Sequence, residues 1–156
     1  FERIVNTPKR GLGDKSLQRL HQLARAERTP LSMAAATLVS TDELPGAARR
    51  GLGNLVQDIG RWRTAMTELP HAELARIVLE ESGYVAMWQA DRSAEAAGRL
   101  ENLQELTRAM EEFDTLSSFL DHVSLVMENE QSDAAAKVTI MTLHAAKGLE
   151  FDTVFL

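Results

Sequence analysis

Apolar residues recur at three- and four-residue steps along nearly the whole chain, which predicts a body of α-helices up to about residue 130. A first helix is expected to start with Asp14 as N-cap after Gly13, with Leu17, Leu20 and Ala24 on one face and Arg19 and Arg25 turned outward. An Ala-rich segment follows Pro30, over Leu31 to Val39, and Thr41 to Gly46 has the composition of a loop. From Ala47 the set Leu52, Leu55, Val56, Ile59, Trp62 and Met66 marks an amphipathic helix, although Gly51, Gly53 and Gly60 each cost about 1 kcal/mol relative to Ala. Pro70 suits the first turn of the next helix, whose face is Leu74, Ile77 and Val78 and whose end falls at Gly83. Beyond Tyr84 and Trp88, a long helix from about Ser93 to Phe113 presents Leu100, Leu103, Leu106, Met110 and Phe113. Leu116, Phe119, Leu120, Val123 and Met127 form one more apolar stripe.

The pattern then changes. Glu128 to Lys137 is polar and small, with the composition of a linker. Val138 to Thr142 and Thr153 to Leu156 are short apolar, β-branched runs separated by a polar, Gly-containing stretch, which predicts two strands and a connection. The expected fold class is therefore mainly α, with a helical subdomain over residues 1–130 and a linker and short β segment over 131–156.

Composition narrows the class without changing this picture. The chain has 156 residues, enough for one domain that hides roughly 70% of its unfolded surface. A hydrophobic share of 44% and a charged share of 26% are those of a globular protein rather than a disordered or membrane chain. No apolar run approaches the roughly 20 residues of a membrane span, and Phe1 opens a charged stretch rather than a signal peptide, so neither a membrane partner nor export is expected. With no cysteine there is no disulfide, thiolate metal site or cysteine nucleophile, which accords with a reducing cytoplasm.

Charge does change the picture. The net charge of -6 argues against a chain that coats itself in nucleic acid. Residues 1–28, however, carry seven basic groups against three acids, a local charge of +4, and the other 128 residues carry -10. An anion site therefore belongs near the N-terminus. There the run Asn6-Thr7-Pro8-Lys9-Arg10-Gly11-Leu12-Gly13-Asp14-Lys15-Ser16 combines glycines, immediate entry into a helix and flanking basic groups. Glycines let backbone approach a phosphate, amides at the helix start face the anion, and Lys9, Arg10 and Lys15 supply charge. Such contacts address the nucleic-acid backbone, so weak sequence preference is expected. The alternative is that Gly11 and Gly13 only form a tight turn before the helix. The same tripeptide at Gly51-Leu52-Gly53 lies inside a helical pattern and is read as incidental.

Near the C-terminus, His144, Lys147 and Glu150 gather between the two expected strands, where loops at strand ends commonly hold ligands; a solvated loop is the plainer reading. His21, His71 and His122 are dispersed, so no metal site is expected. Trp62 and Trp88 sit in helical apolar patterns and read as core before they read as base-stacking residues. The acids around Glu101, Glu105, Glu111 and Glu112 read as a solvated face that would repel DNA.

The run Thr142-Leu-His-Ala-Ala-Lys-Gly-Leu-Glu-Phe151 resembles motif V of superfamily 1 helicases of the UvrD, PcrA and Rep type, and Arg3 to Ser16 resembles the opening of their 2B subdomain. Ser82-Gly83-Tyr84 and Arg99 to Glu105 extend the likeness through the middle of the chain. The resemblance implies a helical 2B subdomain, a return to the second RecA-like motor domain, and a piece of a longer bacterial 3′-to-5′ DNA helicase using ATP and Mg²⁺ in repair or replication, in the cytoplasm at the nucleoid. It implies duplex DNA contact by Thr7, Lys9, Arg10, Gly11, Leu12, Gly13, Asp14, Lys15 and Ser16, and single-stranded DNA contact by Thr142 and His144. Lys147, Gly148 and Glu150 would lie near the nucleotide. The sequence contains no Gly-x-x-x-x-Gly-Lys-Ser/Thr phosphate loop, so no cofactor, ATP turnover or catalytic residue is expected of these 156 residues alone. Expected partners are duplex and single-stranded DNA and the rest of the motor. The alternatives are a docking platform for a repair or transcription protein, or a piece of a helicase–nuclease.

Overall fold

The structure, a computed structural model, describes residues 1–132, 140–142 and 153–154, without the side chains of 128–132. The chain divides into two compact units, Phe1–Leu116 and Ser117–Leu156. The first unit carries α1 (Asp14–Glu27), α2 (Leu31–Val39), α3 (Gly46–Ala65), α4 (His71–Glu81), α5 (Tyr84–Ala90) and α6 (Ala94–Glu111); α7 (Leu116–Ser132) starts at its edge. The fold is mainly helical, as the periodicity predicts, and there is no strand among the described residues.

Local chemistry sets the helix ends. Pro30, Pro45 and Pro70 stand immediately before α2, α3 and α4 with φ of -58, -54 and -55, already helix-compatible. Gly83, at φ 78, follows the end of α4 in the left-handed conformation that glycine adopts without a Cβ penalty. At α1 the N-cap is Gly13 rather than Asp14, and no side chain caps the helix. The Gly13 carbonyl accepts the Leu17 amide at 3.1 Å. Asp14 is thus the first helical residue, where its charge faces the positive end of the dipole. The helix α7 continues to Ser132, five residues beyond the apolar stripe, because Glu128, Glu130 and Gln131 favour helix and neither Gly nor Pro interrupts them.

In the first unit, α2 packs on both α1 and α3. Leu20, Leu38 and Leu52, one from each helix, are essentially without exposed surface, and each contributes about 2 kcal/mol by burial. Ala34 and Ala35 are fully buried, so α2 offers its neighbours a face of small side chains. A second group is formed by α4, α5 and α6. There a His71 ring nitrogen bonds the Met110 carbonyl oxygen (2.7 Å), and Arg76 pairs with Glu111. The groups are joined at Glu81, which accepts Trp62 Nε1–H at 2.6 Å and Arg61 Nη1–H at 2.9 Å to each oxygen.

In α7, Phe119 is buried, whereas Leu120, Leu125, Val126 and Met127 are exposed. Most of the expected strand segments 138–142 and 153–156 lies outside the described residues; Ile140 and Val154, which are described, are 94% and 61% exposed.

Candidate functional site

The basic N-terminal run folds into a hairpin that enters α1. Val5 and Leu12, at 2% and 3% exposure, pin its two arms into the core. Between them the Asn6 side chain clamps the loop: its Oδ1 accepts the Arg10 amide at 2.9 Å and its Nδ2 donates to the Leu12 carbonyl at 2.8 Å. Gly11 turns the chain at φ 77, a conformation strained for any residue with a Cβ. A Cβ at Gly11 would also lie 3.8 Å from backbone atoms of Ala47 and Ala48, so the turn rests on the first turn of α3. The first turns of two helices, α1 and α3, thus flank one exposed loop. Their leading amides lack intrahelical acceptors and carry the positive ends of the dipoles.

The nine residues expected to meet duplex DNA are contiguous here but present different surfaces. Thr7, Lys9, Gly11, Gly13, Asp14 and Lys15 are exposed. Lys9 and Lys15 form no ion pair among the described residues. Leu12 and Ser16 are buried at 3% and 7% exposure and hold the hairpin. Arg10 folds inward: Nη1 donates to the carbonyls of Ile4 (2.8 Å) and Pro8 (3.0 Å), and Nη2 to that of Ser82 at the end of α4 (3.2 Å). Burial pushes its pKa below the ordinary value, with the charge of Asp58 opposing, and the group still stays cationic.

Gly51 was expected to be incidental, and the structure corrects this. A Cβ at Gly51 would lie 2.2 Å from the Arg10 carbonyl oxygen and 3.1 Å from its carbon. The hairpin backbone therefore occupies the space that any side chain on this turn of α3 would fill. A glycine inside a strongly periodic helix was the signal in the sequence; its partner, 41 positions earlier, was not legible. Gly53 faces Val39 Cγ1, which a Cβ would meet at 3.3 Å.

Thr142 is exposed and belongs to the second unit; His144, Lys147, Gly148 and Glu150 lie outside the described residues. Trp62 is core, as expected, with its indole N–H held by Glu81. Trp88 is half-buried, edge-on to Tyr84 at 6.3 Å and under the Arg99 guanidinium at 5.7 Å. Glu101, Glu105, Glu111 and Glu112 are exposed. Between α4 and α6 an apolar groove of about 750 Å³ is lined by Leu74, Val78, Leu106, Met110 and Phe113, with Glu111 and Asp114 at its edge. No helix among the described residues is long and apolar enough to cross a membrane.

The helical body and the motif-V-like run are compatible with a helicase family. Residues 50–156 match the UvrD-like helicase C-terminal domain, and the chain belongs to the UvrD-like helicases. Over its full length it is 40% identical to DNA helicase II of Rickettsia typhi, covering 24% of that protein. It is 34% identical both to DNA helicase II of Escherichia coli K12 and to the ATP-dependent DNA helicase PcrA of Bacillus subtilis, again over its full length and covering 23% of each. The chain spans about a quarter of the length of the curated relatives it matches.

Proposed function

We propose that this chain is the duplex-gripping and regulatory part of an ATP-dependent 3′-to-5′ DNA helicase acting in repair or replication at the bacterial nucleoid. The observation that carries this reading is the Lys9–Lys15 hairpin. It sets two exposed lysines, exposed glycine backbone and two helix starts around one loop, in a chain whose other 128 residues carry -10. Phosphates are recognised there by charge and backbone amides, so the grip is on duplex shape and little on base sequence. Asp14, an exposed acid in the first turn of α1, offsets part of that positive charge.

Residues 1–130 act in this reading as a 2B-type subdomain, whose orientation regulates unwinding, and 131–156 as the return to the motor. Thr142 and His144 would meet single-stranded DNA, and Lys147, Gly148 and Glu150 the nucleotide. ATP and Mg²⁺ belong in this reading to the whole helicase, because these 156 residues contain no Gly-x-x-x-x-Gly-Lys-Ser/Thr phosphate loop. The 156 residues alone are expected not to hydrolyse ATP. A helicase–nuclease parent would keep the same site.

The test is a fluorescence-anisotropy titration of the chain with a short duplex bearing a single-stranded tail, over a series of salt concentrations. The expected result is binding whose logarithmic salt slope falls by about two in Lys9→Ala/Lys15→Ala, one per phosphate contact. Equal slopes for the two proteins would reject the hairpin as the grip. A second reading, docking of a repair or transcription protein, is favoured by the apolar groove beside α6. Loss of partner capture in Leu106→Glu, with the lysine pair irrelevant, would support it.

A further inference from the structure

Two other glycines, in α3 and α6, show why Gly51 stands apart. In the interior of a helix Ala is favoured over Gly, so an interior glycine without a packing reason is a standing cost. Gly60 and Gly98 have no atom within 4 Å of where a Cβ would be. At Gly51 that position lies 2.2 Å from the Arg10 carbonyl oxygen, and 3.1 Å from both the carbonyl carbon and Cβ of Arg10. The carbonyl cannot simply swing aside. The Arg10 amide is held by Asn6, and its guanidinium is held by the Ile4, Pro8 and Ser82 carbonyls. The next residue, Gly11, is the exposed turn that rests on Ala47 and Ala48. A side chain at 51 would therefore lift the turn and both neighbouring lysines as a unit.

We propose that Gly51 and Arg10 are positioning residues for the DNA grip. The notch at Gly51 seats the Arg10 backbone on α3, and the Arg10 guanidinium ties the hairpin to the end of α4 instead of touching phosphate. The grip is thus a composite of three distant segments, residues 4–16, 46–51 and 82. This inference rests on the duplex-binding reading above and names the residues that set its geometry.

The experiment is a double-mutant cycle in the 156-residue chain, combining Gly51→Ala with Lys9→Ala/Lys15→Ala and titrating each protein against the tailed duplex at about 0.1 M salt. At that concentration each phosphate contact corresponds to about tenfold in affinity. Gly51→Ala is expected to lose nearly as much affinity as the double lysine variant, while retaining its helical circular dichroism. Adding the lysine changes to Gly51→Ala is expected to cost no more than about twofold further, because lysines already out of register have nothing left to lose. Additive losses would overturn the inference, since the lysines would then grip whatever the notch holds. So would a Gly51→Ala protein that binds as the unaltered chain does. Arg10→Lys keeps the charge but cannot serve three carbonyls together, and it is expected to bind weakly and to be coupled to the lysine pair in the same way. Wild-type affinity in Arg10→Lys would mean that its charge alone matters, against the proposal. If Gly51→Ala fails to fold, the Arg10→Lys cycle decides alone. Absence of salt-dependent binding by the unaltered chain would remove the duplex-binding reading and this inference together, whereas binding by that chain with an additive cycle removes the inference only.

Discussion

Leu12 sits between two exposed glycines and is itself 3% exposed, so the most prominent loop of the chain is anchored by a core side chain. Truncating it in Leu12→Ala is expected to cost about 2–4 kcal/mol, read as a lower denaturant midpoint at unchanged slope. Glu81 carries the corresponding electrostatic prediction. The hydrogen bond from Trp62, and after it that from Arg61, holds its carboxyl below the ordinary value. A carboxylate depressed in the folded state stabilises fully above its unfolded pKa, and the contribution is lost as pH falls through the folded pKa. Trp62→Phe, which keeps the ring but removes the donor, is expected to move the Glu81 titration upward in an NMR pH series; an unchanged titration would assign the depression to Arg61 alone. Residue roles were only partly legible in the sequence. Lys9 and Lys15 read as exposed cations and are so, but Arg10 looked identical to them and is folded onto three carbonyls, because charge patterning says nothing of where a long side chain ends.

Among the elements, α3 offers a contrast within one helix. Gly60→Ala places a methyl in open space and is expected to raise stability by about 1 kcal/mol, through helix propensity alone. The same change at Gly51 meets backbone and is expected to lower it, so thermal melts of the two variants shift in opposite directions. The element pattern itself was largely legible: α2 spans Leu31–Val39 as the apolar spacing predicts, and α4 ends ahead of Gly83. Periodicity fails where an end is decided by bonds it does not record. It missed Gly13 as the cap of α1, and it stopped α7 at the last apolar residue although polar helix formers extend it to Ser132. It also marks which face is apolar without saying what covers that face, as the exposed Leu120 and Met127 show.

On the scale of the whole molecule, charge asymmetry and family likeness converge. The basic excess of residues 1–28 predicted an anion site at the N-terminal end, and the structure sets the exposed lysines there around a hairpin flanked by two helix starts. The likeness to UvrD-like helicases was legible in two short motifs, of which the run Thr142–Phe151 falls within the matched residues 50–156. What no local pattern contained was the convergence of α3 and the end of α4 on the hairpin, since it depends on contacts between residues 36 to 72 positions apart. Whether this hairpin is the DNA-facing surface can be read from an amide chemical-shift titration of the chain with short duplex DNA. The largest shifts are expected on residues 9–16 and on the first turn of α3, fading as salt is raised. Shifts concentrated along the α4–α6 groove, or none at the hairpin under conditions of measurable binding, would contradict it.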